Sequence, residues 1–107
     1  MIYASIRRYR TGAGSIDDAM HLTDTELAGR LSEEPGFVDY QVMDTGDGAI
    51  TSVTIFEDEE RCLRSNDLAA EFVREHLGDF QVERLDMFGG EVMVSRAAER
   101  VLEPAHH

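Results

Sequence analysis

His76 and Asn66 are the residues of a predicted helix whose types suit chemistry on a small molecule. A histidine has a pKa class that allows proton transfer near neutral pH, which makes His76 the candidate catalytic base. It also stands near the expected C-terminus of that helix, where a cation is favoured by the helix dipole. Both roles remain open for His76.

Asn66 lies on the predicted core-facing stripe of the same helix, ten residues before His76. The stripe consists of Cys62, Asn66, Ala69, Ala70, Val73 and Leu77, with Phe72 and His76 beside it. A buried amide needs hydrogen-bond partners, so Asn66 either bonds nearby backbone or points into a cleft where a ligand supplies them. Asn66 and Phe72 are therefore candidate substrate-binding residues, and the structural role of Asn66 stays open.

Arg7 and Tyr40 are the strand residues best suited to orient a ligand. A guanidinium and a phenol can together hold an enol or a carboxylate through hydrogen bonds. Each is also compatible with an ordinary interface position. Both are candidate substrate-binding residues.

The remaining reactive side chains give weaker signals. No cluster of His, Cys and carboxylates has metal-ligand spacing, so no protein-bound metal is expected. Cys62 is the single cysteine, which excludes an internal disulfide, and no activating base stands near it in the sequence. His21 falls on the polar side of the first predicted helix, and the terminal pair His106 and His107 is expected to be frayed.

The charge balance excludes several partners. The chain has 22 acidic residues against 10 basic ones, all arginine, and a net charge of -12. Nucleic acid and anionic membranes are therefore poor partners. The absence of lysine fits either a GC-rich genome or a salt-loaded cytoplasm, and stability that rises towards molar salt would favour the second. No apolar run reaches the roughly 20 residues that span a bilayer, and a cytoplasmic location is predicted.

The pattern along the chain predicts four strands and two helices. Alternation predicts a strand over residues 2–9, and Ser15 with Asp18 forms a capping box for a helix over 15–32. Pro35 and Gly36 end that helix, and a hairpin follows over 37–43 and 49–57. Asp58 caps the second helix, which ends near residue 78 and could be kinked at 65–67. Residues 80–88 are open between edge strand and connector, and the last strand is expected over 91–96.

This element order predicts a ferredoxin-like βαββαβ fold of the α+β class. One antiparallel sheet would carry two helices on one face. The expected domain covers residues 1–97, followed by a short tail over 98–107. Each strand has apolar residues on both sides, so the uncovered sheet face is an expected association surface. Two subunits would then pack sheet against sheet into a dimeric α/β barrel.

Three segments give the chain a resemblance to a known family. They are residues 34–40 (EPGFVDY), 52–58 (SVTIFED) and 65–73 (SNDLAAEFV). These resemble the antibiotic biosynthesis monooxygenase-like members of the dimeric α/β-barrel superfamily. The resemblance implies a homodimer, a small-molecule cleft between helices and sheet and, in some members, oxygenation without metal or flavin, hence no cofactor. Haem-degrading relatives carry an Asn on the first strand and a Trp. This chain has Ser5 and Ile6 in that region and no Trp, so haem degradation is disfavoured.

Two hypotheses about function follow. In the first, the protein is a cofactor-independent monooxygenase acting on an aromatic or enol substrate. In the second, it is a non-catalytic ligand-binding or structural dimer. A pocket of about 300 Å³ or more lined by Asn66, His76 and Tyr40 would favour ligand binding or catalysis, and a filled interior would favour the second hypothesis.

Overall fold

The computed structural model describes residues 1–97. Four strands, β1 (Tyr3–Thr11), β2 (Phe37–Gly46), β3 (Ala49–Phe56) and β4 (Val82–Glu91), form one antiparallel sheet in the order β2-β3-β1-β4. Helix α1 (residues 16–32) follows β1 and helix α2 (Glu59–His76) follows β3. The predicted ferredoxin-like α+β fold is confirmed. Within this part of the chain, no helix combines the length and apolar character needed to cross a membrane.

The helix boundaries follow local sequence signals. Ser15 Oγ accepts a hydrogen bond from the backbone of Asp18, and Asp58 Oδ1 accepts one from Arg61 at 2.8 Å, so both predicted N-caps form. Gly36 has a φ of +83°, the left-handed conformation that the turn into β2 requires. Helix α2 is continuous from Glu59 to His76, so the helix does not restart at residues 65–67.

Helix α1 contains a π-helical segment in its middle. It runs as an α-helical segment Ile16–Leu22, a π-helical segment Thr23–Ala28 and an α-helical segment Gly29–Ser32. The hydroxyl of Thr23 donates to the carbonyl of Ala19 at 2.9 Å, beside the point where the pattern changes. Such π segments widen a helix locally and recur at functional sites.

The two faces of the sheet have an unusual distribution of polarity. Registers Ser5 to Thr54 and Arg7 to Ser52 place four buried polar residues on the face that the helices cover. The alternate positions point to the opposite side, which we call the open face. Its central residues are apolar: Ala4, Ile6, Val53, Ile55 and Phe88. The prediction that both faces carry apolar groups holds, but the sheet centre is polar beneath the helices.

A bulge in β2 interrupts the alternation of its side chains. Strict alternation over residues 37–43 would place Phe37 on the same side as Gln41 and Met43. The register between β2 and β3 shifts between Phe37 and Asp39, so Phe37 instead packs against the helix-side core and contacts the ring of Phe56 edge-on at 5.8 Å. One extra residue in a strand reverses the side to which the next ones point.

The last strand lies earlier than predicted. The expected strand over 91–96 is wrong: β4 is Val82–Glu91, and residues 92–97 belong to no strand. Glycine weakens strands, so Gly89 and Gly90 favour a strand that begins only after them. Here Gly89 lies inside β4 opposite Ser5, where a Cβ would stand 2.7 Å from the carbonyl oxygen of Ala4. The predicted tail over 98–107, including His106 and His107, lies outside the described residues.

The helix-side core is small and aliphatic around one aromatic ring. Its buried residues are Ala19, Leu27, Leu31, Ala69, Phe72 and Leu77. Phe72, predicted beside the stripe of α2, is fully buried within it. Because these side chains seal the layer only partly, a cavity remains between α1, α2 and the sheet.

Candidate functional site

The cavity lies between the π segment of α1, the second half of α2 and the buried sheet face. Its volume is about 40 Å³. Arg7, Tyr40 and Phe72 line it, which brings three of the five predicted site residues together. Asn66 and His76 are absent from its wall. Most of the remaining lining is apolar, contributed by Met20, Leu27, Val42, Ile50, Ala69, Val73, Leu77 and Val82.

Arg7 is the charged centre of this cavity. The residue is 1% exposed, and it is the one charged residue that is buried among residues 1–97. Its Nε donates to Ser52 Oγ at 3.3 Å and its Nη2 donates to Thr54 Oγ1 at 3.0 Å. Its Nη1 is buried and has no hydrogen-bond partner within the described chain. The guanidinium is thus held rigidly by neutral hydroxyls, with one donor group unused.

Tyr40 supplies a neutral phenol to the same cavity. Burial raises the pKa of Tyr40 to about 12, while the nearby charge of Arg7 acts in the opposite direction. The phenol therefore keeps its proton at physiological pH. Tyr40 can donate a hydrogen bond to a ligand oxygen, but it does not act there as a phenolate base.

Asn66 takes part in a buried hydrogen bond to the sheet. Ser5 Oγ donates to Asn66 Oδ1 at 3.1 Å, and both residues are buried. This bond joins the middle of α2 to the start of β1. It provides the structural role that the sequence left open, at a position away from the cavity wall.

His76 lies behind Phe72 as seen from the cavity. The two rings are 5.2 Å apart between centroids and tilted by 30°. The Nε2 atom of His76 is buried without a hydrogen-bond partner in the described chain, and it lies 3.7 Å from a carboxylate oxygen of Glu75. Phe72 lines the cavity and His76 does not, so the imidazole reaches the cavity only through its contact with the Phe72 ring.

The other reactive side chains lie outside the cavity. Cys62 is fully buried, its Sγ contacts the carbonyl of Thr54 at 3.5 Å, and burial raises the pKa of its thiol. His21 is exposed on α1. Residues 1–97 contain no group of three or more His, Cys, Asp or Glu side chains that could hold a metal ion.

The sequence did not identify Ser52 and Thr54 as site residues. Both alternate with Val53 and Ile55 on β3, a pattern that is typical of an outward polar face. They are instead buried and hold Arg7. Their position on the strand that pairs with β1 could have identified Ser52 and Thr54, because a buried arginine on β1 needs hydrogen-bond acceptors on the neighbouring strand.

Comparison with known proteins shows a fold and no sequence family. No family model matches the chain, and no curated protein matches it significantly. Among solved structures it is similar to SnoaB, a cofactor-independent oxygenase from Streptomyces nogalater, with 13% identity, a TM-score of 0.61 and coverage of 92% of this chain and 96% of that one.

Two further structures give the same result. A Chloroflexus aurantiacus protein described as an antibiotic biosynthesis monooxygenase has 17% identity and a TM-score of 0.67, covering 91% of this chain and 98% of that one. The ActVA-Orf6 monooxygenase of Streptomyces coelicolor, solved with nanaomycin D, has 14% identity and a TM-score of 0.63, covering 91% and 92%. The chain therefore has the fold of antibiotic biosynthesis monooxygenase-family structures.

Proposed function

We propose that this protein is a homodimeric small-molecule-binding protein that acts as a cofactor-independent monooxygenase on an aromatic or enol substrate. The observation that carries the proposal is the cavity between helices and sheet, where a rigidly held Arg7 and a neutral Tyr40 face mostly apolar walls. Ligand sites commonly combine apolar walls with a few fixed polar groups. The fold is shared with oxygenases, which supports the reaction class by analogy alone.

The homodimer is proposed from the open face of the sheet. Ile6, Val53 and Phe88 lie together there, and Phe88 is 57% exposed. A contiguous apolar face on a small domain favours association. A second copy packed on this face would bury it and complete a barrel of two sheets.

The proposed chemistry needs only the substrate and dioxygen. Loss of a proton from an activated aromatic CH₂ or enol gives an electron-rich anion, which Arg7 and Tyr40 would hold through its oxygen. Conversion of a ring CH₂ to a carbonyl removes two hydrogens and four electrons from the substrate, which balances the reduction of dioxygen to one carbonyl oxygen and one water. His76 is the proposed base, and it would reach the substrate only if Phe72 moves aside.

The alternative is a non-catalytic ligand-binding or structural dimer. The cavity volume of about 40 Å³ favours it, since that is well below the size expected for an aromatic substrate pocket. The positions of Asn66 and His76 outside the cavity wall favour it as well. In this case the same cavity would bind a small group without turnover.

Isotope-labelled oxygen distinguishes the two functions. The protein is incubated with hydroquinone-type and enolisable polycyclic aromatic substrates under ¹⁸O₂, and products are analysed by mass spectrometry. Monooxygenation predicts one ¹⁸O atom per product, above a protein-free control. The His76→Ala variant tests the base and His21→Ala is its matched control. Label incorporation equal to the protein-free control would remove the enzymatic function.

A further inference from the structure

Among residues 1–97, no carboxylate forms an ion pair with Arg7. The chain carries a net charge of -12, yet the partners of this buried guanidinium are the hydroxyls of Ser52 and Thr54. No Asp or Glu occurs among the residues that line the cavity. Buried charges are normally paired, because desolvation without a counter-charge is costly.

The unused donor of Arg7 defines where an anion would bind. Two of the three guanidinium nitrogens are occupied by the sheet, which fixes the plane of the group. Nη1 remains unpartnered and buried in the described structure. A guanidinium is suited to carboxylates because its donors match their geometry.

The other walls suit a carboxylate with an apolar remainder. Tyr40 and Tyr9 also line the cavity and bring phenol groups to it. A volume of about 40 Å³ exceeds the roughly 10–15 Å³ that one water requires, so the cavity has room for the carboxylate of an acid, and the rest of the acid would extend past the cavity edge. The half-buried Met20 and Val73 lie at its edge, and a methionine side chain adapts readily to a neighbouring group.

We propose that the cavity binds the carboxylate of a small organic acid through Arg7, with the phenol of Tyr40 as a second donor and the apolar part of the acid against Met20. This rests on the proposed function only in that the cavity accepts a small molecule. It names the ligand class, a monoanionic acid. Turnover is not required.

Isothermal titration calorimetry with sodium benzoate as the probe tests the site, with benzamide as its neutral isostere. Wild-type protein is expected to bind benzoate at least tenfold more tightly than benzamide. This comparison needs no variant, so it stands even if substitution of Arg7 disrupts folding. Equal binding of the two probes, or binding of neither, would overturn the proposal.

Variants locate the binding on Arg7. Arg7→Met is expected to reduce benzoate affinity at least tenfold and to leave benzamide binding unchanged. Arg64→Met is the matched control on the exposed surface of α2, and it should bind benzoate like the wild type. Unchanged benzoate binding by a folded Arg7→Met variant contradicts the assignment.

Sodium chloride distinguishes a carboxylate site from a general anion site. When sodium chloride is added to a buffer that initially contains no chloride, it is expected to compete with benzoate only weakly. Chloride affinity equal to that of benzoate would overturn the carboxylate assignment. Failure of the oxygenase test leaves these binding results untouched, so the two proposals fail separately.

Discussion

Arg7 and Arg8 are consecutive residues of β1 with opposite environments. Arg7 is buried under the helices and bonds to the hydroxyls of Ser52 and Thr54. Arg8 points to the open face, where it forms an ion pair with Asp86 at 2.6 Å. Within the described part of the chain, strand alternation thus gives a carboxylate partner to the exposed cation and none to the buried one.

Substitution of Arg7 by methionine is expected to stabilise the protein. A buried charge without a counter-ion costs free energy, and an apolar side chain of similar length removes that cost. The hydroxyls of Ser52 and Thr54 lose their donor, which offsets part of the gain, so the free energy of unfolding should rise by only about 1 kcal/mol. Urea unfolding measures this. Arg8→Met is the control and should change stability little, because exposed ion pairs contribute little. A strongly destabilised Arg7→Met variant would show that Arg7 is needed for folding.

The stability is expected to fall between pH 10 and pH 12 because of Tyr40. Folding raises the pKa of this phenol from 10.0 to about 12, so the unfolded chain loses the proton first. The resulting stabilisation is fully present below pH 10 and is lost as the pH rises through 12, an effect of about 3 kcal/mol. Unfolding curves of wild type and Tyr40→Phe, taken across this range, isolate the contribution. Parallel pH profiles of the two proteins would contradict it.

The hydrogen bond between Ser5 and Asn66 is expected to contribute to stability. Asn66→Ala leaves the buried Ser5 hydroxyl without its acceptor, which should lower the free energy of unfolding by about 1–3 kcal/mol. Asp67→Ala, at the exposed neighbouring position, serves as the control. If Asn66→Ala unfolds at the same urea concentration as the wild type, the amide has no structural role and its place in ligand binding regains support.

Gly89 is expected to tolerate no side chain, in contrast to Gly90. A Cβ at Gly89 would meet the backbone oxygen of Ala4 at 2.7 Å, and the strands would have to separate. Gly89→Ala should therefore cost about 1–3 kcal/mol, typical of overpacking. No atom lies within 4 Å of a Cβ at Gly90, so Gly90→Ala should be close to neutral. Equal losses of stability in Gly89→Ala and Gly90→Ala would contradict the position of Gly89 against the backbone of Ala4 in β4.

Local signals in the sequence predicted the element order and the helix starts. Ser15, Asp58 and Gly36 act within a few residues of their own position, which is why they are readable. The bulge next to Phe37 and the glycines of β4 depend on neighbouring strands, and no local pattern reports them. The sequence predicts Arg7, Tyr40 and Phe72 as separate candidates but does not predict that they share one cavity. Period-two alternation does not say which face of the sheet the helices cover.

The proposed homodimer requires a second copy to cover the open face, and native mass spectrometry of dilute protein tests this directly. Wild-type protein is expected at about 24 kDa, two chains of 12.0 kDa each. Phe88→Glu should give single chains, because a carboxylate cannot be buried in an apolar interface. Leu63→Glu, at an exposed position on α2, should remain a dimer. Folded wild-type protein found only as single chains of 12.0 kDa would contradict the proposed homodimer.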